Sequence, residues 1–201
     1  MSRAGALAVW VALLAGCAAM LPPQAEAPAI YLLDTRPAER PARPQRGLVL
    51  LVSIPQARAG YDTDQMAYVR EPYGLEYFTK SRWADAPSRM LAPLLVQTLE
   101  QAGGFRTVVQ APSTVPADLR LDTELVRLQQ DFGARPSRVE LAVRAQLVDL
   151  RSRQVLATAE FEEVEMTQRD DAYGGVIAAN RALQRMLARL ADFCAEQSAG
   201  R

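Results

Sequence analysis

Between Arg138 and Leu150 the side chains alternate over enough residues to fix the backbone. Val139, Leu141, Val143, Ala145 and Leu147 fall on one face, and Arg138, Glu140, Arg144 and Gln146 on the other. A period of two is the signature of a strand with one buried and one wetted side. The neighbouring segments, Leu119 to Phe132 and Gln154 to Met166, have the same length and character. Their connectors, Gly133-Ala134-Arg135-Pro136 and Arg151-Ser152-Arg153, are short enough for hairpins. The three segments therefore read as an antiparallel meander with one solvated face. In the third, Val155, Ala157, Ala159 and Phe161 alternate before the apolar phase moves to Val164 and Met166, which predicts a bulge near Glu162-Glu163.

A sheet with one apolar face needs a cover, and two helical segments supply it. In the first, Leu91, Leu94, Leu95, Thr98, Leu99 and Ala102 recur at helical spacing. Pro87 lies at its start and Gly103-Gly104 at its end, while Pro93 inside it suggests a later start for the regular helix. The second is capped by Asp170 or Asp171 and carries Val176, Ala179, Leu183, Met186, Leu187, Leu190 and Phe193 along one face. Cys194 belongs beside Leu187 and Leu190 as a small buried hydrophobe, and Gly174-Gly175 should weaken the first turn. Together these elements predict an α+β domain, an antiparallel sheet with two main amphipathic helices packed on it.

The remaining strands are shorter. Ile30-Tyr31-Leu32-Leu33 opens the folded part, Leu48 to Ile54 is an apolar run closed by Pro55, and Phe105 to Val109 follows the first helix. Tyr68-Val69-Arg70 and Leu75-Glu76-Tyr77-Phe78 flank Pro72-Tyr73-Gly74, which predicts a hairpin. From Thr35 to Gly47, Pro37, Pro41 and Pro44 interleave with Arg36, Arg40, Arg43 and Arg46. That density of proline excludes helix and central strand. Two readings stand for it: a solvated loop, or a basic one that touches lipid head groups or an acidic partner.

The N-terminus has a different character. Arg3 precedes an apolar run from Ala4 to Leu13 that is too short to span a bilayer, and small residues follow it. The sequence there, Leu14-Ala15-Gly16-Cys17, resembles the lipobox of bacterial lipoproteins. The resemblance implies cleavage before Cys17 and acylation of its thiol and new amino group, palmitate among the expected chains. Two or three acyl chains hold a protein durably on a bilayer, at about 0.8 kcal/mol per buried methylene. Ala18 in place of Asp implies, by the sorting rule of such lipoproteins, the periplasmic face of the outer membrane. Residues 1–16 are then a signal peptide, 17–29 a lipidated terminus and flexible tether, and 30–198 the domain.

Composition narrows the chemistry. The 23 basic and 23 acidic residues cancel, so nothing points to nucleic acid. The chain has no histidine, which excludes a His-dependent triad, a His general base and a His-ligated metal. No phosphate-binding glycine loop, Gly-x-Ser-x-Gly or metal-ligand spacing occurs. The densest acidic group, Glu160, Glu162, Glu163 and Glu165, reads as surface charge. Neither an enzyme nor a cofactor or metal protein is expected.

One stretch is unusual. Tyr61, Tyr68, Tyr73, Tyr77, Phe78 and Trp83 crowd into some twenty residues of a chain only 6% aromatic, interleaved with Arg70, Arg82 and Arg89. Tyr, Trp and Arg dominate binding hot spots, though alternate aromatics also fill sheet–helix cores. Arg70, Tyr73, Arg82 and Trp83 are the candidate partner-binding residues.

The same stretch carries a family resemblance. Tyr61-Asp62, Met66-Ala67-Tyr68-Val69-Arg70, Leu75-Glu76-Tyr77-Phe78 and Arg82-Trp83-Ala84-Asp85-Ala86-Pro87 are similar to the central signature of the ABC-type transport auxiliary lipoproteins, which include the paraquat-inducible protein C group. The resemblance extends through Tyr31-Leu32-Leu33, Val49 to Pro55 and the closing meander and helix. It implies a docking role in ABC systems that carry MCE-domain proteins and move phospholipid between inner and outer membranes. In such systems the lipoprotein docks with the periplasmic MCE component and can form a homo-oligomeric ring. Two other readings stay open: a carrier that binds lipid in a cleft between sheet and helix, and a purely structural envelope lipoprotein.

Overall fold

The computed structural model describes residues 26–35 and 42–199. The lipobox, Cys17, most of the expected tether, and Arg36 and Arg40 lie outside the described residues.

Strand β7 (Leu119–Asp131) organises the sheet. Along one edge it pairs antiparallel with β8 (Arg138–Asp149), which pairs antiparallel with β9 (Gln154–Met166). That is the expected meander. The other edge of β7 is shared by three strands, all parallel to it. They are β2 (Val49–Val52) beside Leu119–Leu121, the two-residue β3 (Gln56–Ala57) beside Glu124–Leu125, and β4 (Gln65–Val69) beside Gln129–Asp131. Beyond β2 lies β6 (Thr107–Gln110), again parallel. Beyond β4 lies β5 (Leu75–Trp83), its antiparallel hairpin partner, and then β1 (Ala29–Tyr31), parallel to β5. The nine-stranded sheet is thus mixed rather than wholly antiparallel. A strand of 13 residues has room for several short partners end to end on one edge, and residue alternation says nothing of their direction.

Both helices cover one face. Helix α1 (Pro87–Ala102) starts with proline at its first position, where the missing N–H costs nothing. It runs through Pro93 instead of starting after it. Pro93 and Arg89, whose carbonyl loses its partner, are both exposed, so water can replace the bond. Helix α2 (Ala172–Gln197) is capped by Asp171, whose side chain accepts from the Gly174 N–H at 2.8 Å. Leu183, Met186, Leu187 and Leu190 of α2 meet Leu121, Val143 and Leu147 of the sheet in the core, all nearly inaccessible. Cys194 is fully buried there, and burial pushes its thiol pKa up to about 12.

Two local expectations are corrected. The bulge in β9 lies at Leu156, where the register moves from Val148↔Val155 to Leu147↔Ala157; through Glu162 and Glu163 it is unbroken. The phase does not slip. Glu163 and Glu165 continue the inward face, where Arg185 and Arg189 reach them from α2, and Val164 and Met166 point outward, 53% and 47% exposed. Gly174 and Gly175 also have a positive reason to be glycine. A Cβ on Gly174 would enter the Arg169 carbonyl, and one on Gly175 would enter the Gln130 amide.

The described part of the arginine–proline loop is fixed to α2. Arg43 pairs with Asp192, and Arg46 donates to the Ala195 carbonyl at 2.9 Å and to Ser198 Oγ. Two cations thus sit at the C-terminal end of the helix, where its dipole favours them.

Candidate functional site

The aromatic segment folds into the β4–β5 hairpin and the entry to α1, and this separates the four candidate residues. Trp83 is 4% exposed and packs in the core, so it is not a surface contact. Arg70 and Tyr73 lie at the hairpin turn, whereas Arg82 lies seven residues along β5 from Leu75, about 23 Å away. Residues close together in the aromatic stretch of the sequence are placed by the hairpin at opposite ends.

At the turn, Tyr73 is fully solvated and adopts a left-handed backbone, φ 68°. Behind it, Tyr68, Phe78 and Phe132 form a cluster, with ring centroids 4.6 Å apart for Tyr68–Phe78 and 5.8 Å for Tyr68–Phe132. The Arg70 guanidinium lies over the Tyr68 ring, 5.1 Å from its centroid, and donates to Tyr68 Oη at 3.2 Å. Tyr68 Oη in turn donates to Glu76 at 2.7 Å, a bond that raises the phenol pKa, with burial adding to the rise. These aromatics floor an open groove of about 740 Å³, with Arg70, Arg135 and Asp170 on its rim.

A buried polar network underlies that groove. Gln130 Nε2 donates to Ser137 Oγ at 2.8 Å, Ser137 Oγ contacts Thr167 Oγ1 at 2.7 Å, and Thr167 Oγ1 donates to the Ser137 carbonyl. Asp170 accepts from the Ser137 N–H at 2.7 Å, and this bond, with one from the Ser137 side chain, holds its carboxyl below the usual range. The β7–β8 loop is so tied to the β9–α2 corner. Sequence reasoning missed this network because its members are scattered across positions 130, 137, 167 and 170 with no shared period.

At the other end of the hairpin, Arg82 points away from the core between buried Ser81 and Trp83, and pairs with Asp64 at 3.2 Å. Its register neighbour on β1 is Ile30, 58% exposed, and Leu32 follows at 56%. Among the described residues β1 pairs only with β5, so its outer edge offers unpaired backbone groups. This patch combines an arginine, two exposed aliphatics and a strand edge. In the sequence Ile30 and Leu32 read only as strand residues, and their exposure follows from β1 being the terminal strand among the described residues.

Among the described residues, two apolar cavities lie between sheet and helices, one beside Met66 and Trp83 and one beside Leu33 and Leu183; each holds about 10 Å³, space for one water-sized sphere and far short of an acyl chain. Among the described residues no helix is long and apolar enough to cross a membrane.

The model of the ABC-type transport auxiliary lipoprotein component matches residues 31–192. Among solved structures, a protein from Xanthomonas campestris aligns over 84% of this chain and 95% of its own, with a TM-score of 0.77 at 22% identity. The crystal structure of an uncharacterised protein covers 86% of this chain and 99% of its own, at a TM-score of 0.62 and 16% identity. A PelC dodecamer from Paraburkholderia phytofirmans is more distant, covering 75% of this chain and 91% of its own at a TM-score of 0.46 and 17% identity. A search of curated proteins found no match. The first two likenesses establish the α+β fold with its mixed sheet and two helices.

Proposed function

Since the chain belongs to the ABC-type transport auxiliary lipoprotein family, we propose that it is a non-enzymatic docking subunit of an ABC system that trafficks phospholipid across the envelope. Cys17 carries the lipid anchor, the domain stands on the periplasmic face of the outer membrane, and its partner is the periplasmic MCE-domain protein of the system. The observation that carries this reading is the family match over 162 residues, 31 to 192, which spans the sheet from the last residue of β1, Tyr31, onward and α2 up to Asp192.

Within the domain, the Arg82 patch suits a protein partner. An exposed arginine beside Ile30 and Leu32 matches the composition of interface centres, and the outer edge of β1 over Ala29–Tyr31, which no other described strand pairs, can accept an added strand up to the point where Asn180 takes the Leu32 carbonyl. Trp83 supports this patch from beneath. The small cavities between sheet and helices favour docking over carriage of a lipid inside the domain.

The test is cross-linking in living cells. The MCE-domain protein encoded nearest to this gene is purified after envelope cross-linking, and its adducts are identified by mass spectrometry. The wild-type lipoprotein is expected among them, and the Cys17→Ala variant, which remains an unprocessed precursor without acyl chains, is not. Failure of the wild type to cross-link, in cells that contain both proteins, would refute the docking role.

A further inference from the structure

We infer that the end of the domain formed by the 70–74 turn and the 133–137 loop faces the membrane that holds Cys17, and that Tyr73, Arg70 and Arg135 lie among its phospholipid head groups. The inference rests on the lipid anchor at Cys17 but not on the identity of the docking partner.

Its first support is the direction in which the chain leaves the domain. Strand β1 is parallel to β5, with Ala29 beside Ser81 and Tyr31 beside Trp83. Followed backward from Ala29, the chain therefore runs toward the start of β5, which is the hairpin turn. Glu26 still lies beside β5, its carboxylate 3.1 Å from the amine of Lys80, one residue nearer the turn than Ser81.

The second support is length. Ala67 pairs with Tyr77 and with Gln129, while Gln65 pairs with Arg82, so Lys80 lies level with Met66 and hence with Leu128 of β7. From that level three residues of β7 remain to Asp131 at the turn end, about 10 Å, and nine remain to Leu119 at the far end, about 30 Å. Nine residue steps separate Glu26 from Cys17. Fully extended they reach about 30 Å. The turn end is within easy reach along the existing course of the chain. The far end would need a reversal of direction followed by every residue pulled straight.

The third support is the chemistry of the surface so placed. Tyr73 is a large side chain, fully solvated, on a left-handed backbone that most residues avoid. It repays that cost with no packing inside the domain. Tyrosine at the tip of a turn, with arginine nearby, is the residue pair that settles at the level of lipid head groups. Arg70 and Arg135 both line the groove and are exposed, Arg70 also pairing with Glu76 at 3.9 Å, and their outer guanidinium N–H groups are placed to meet lipid phosphates. The groove floor then opens toward the membrane, and the Ile30–Arg82 patch is held above it, clear for a protein partner.

Depth measurement tests the orientation. The full lipidated chain is placed in nanodiscs, its acylation is checked by mass spectrometry, and a fluorophore is attached through Tyr73→Cys, Arg135→Cys or, at the far end, Ser152→Cys. Cys194 is buried, so labelling is confined to the introduced thiol. Nickel-chelating lipids then quench according to height above the head groups. The expected order is strong quenching at positions 73 and 135 and at least fivefold weaker quenching at 152. Equal quenching at the two ends, as for a domain lying on its β1–β5 edge, would overturn the inference, and so would the reverse order. Circular dichroism and melting of each variant verify the fold. Loss of acylation would instead mark failure of the anchor reading.

Discussion

At the scale of single residues, Tyr73 and Cys194 make opposite statements about selection. Tyr73 holds a left-handed φ of 68° while fully solvated, so the domain bears a local cost without buried area in return. Tyr73→Gly should remove that cost and stabilise the domain by about 1 kcal/mol, a rise of some 2–4 °C in Tm. A melting scan checks it, and a fall in Tm would show that the ring contributes to the fold after all. Cys194 is the reverse, a residue kept for packing. With its pKa pushed up to about 12 it is neither thiolate nor accessible. The native domain made without Cys17 should resist a thiol reagent and react rapidly once unfolded. Rapid labelling of the native protein would contradict the burial.

At the scale of elements, helix α2 is held to the sheet by charge along one side and apolar packing along the other. Arg185 bonds Glu163 at 2.9 Å and Glu165 at 2.7 Å, and Arg189 bonds Glu163 at 2.8 Å. Burial opposes ionisation of Glu163, but hydrogen bonds from Arg189 and Arg185 outweigh it and hold the carboxyl below its ordinary value. Asp170 and Asp171 are also lowered, chiefly by the Ser137 and Gly174 backbone N–H groups respectively. A carboxyl with a depressed folded pKa stabilises the fold fully above its unfolded value, here 3.8 for Asp and 4.5 for Glu. That contribution is lost as pH falls through the folded values. Denaturant midpoints should therefore be flat near neutrality and drop below about pH 4.5. Glu163→Gln should flatten part of that drop, and an unchanged acid limb in this variant would remove Glu163 from the account.

The elements themselves were legible in the sequence to a large extent. The alternation at Val139–Leu147 and the apolar stripe of α2 rest on local patterns with a fixed period, and the sequence narrows the cap of α2 to Asp170 or Asp171, of which the structure uses Asp171. The β4–β5 hairpin was marked by Pro72-Tyr73-Gly74. What escaped depends on distant partners. Glu163 reads as surface charge until Arg185 and Arg189 are placed over it, and Gly174 reads as a weak helix start until the Arg169 carbonyl is seen against it. The parallel pairings of β2, β3 and β4 with β7 had no sequence mark, because alternation records which face is wet and not which way a neighbour runs.

At the scale of the whole molecule, the hairpin turns one crowded stretch of sequence into two distinct surfaces. Arg70 and Tyr73 belong to the end assigned to the membrane, and Arg82 with Ile30 and Leu32 to a lateral patch assigned to the protein partner. The most direct measurement is the affinity of the mature domain, made without Cys17, for the soluble MCE-domain protein, with Tm recorded for each variant. The double variant Ile30→Glu with Arg82→Ala should melt like wild type and bind at least about tenfold more weakly, equivalent to about 1.4 kcal/mol. Arg70→Ala with Tyr73→Ala should leave the affinity of this lipid-free domain unchanged. If the first variant binds as wild type does, or if only the second loses binding, the lateral patch is not the docking surface.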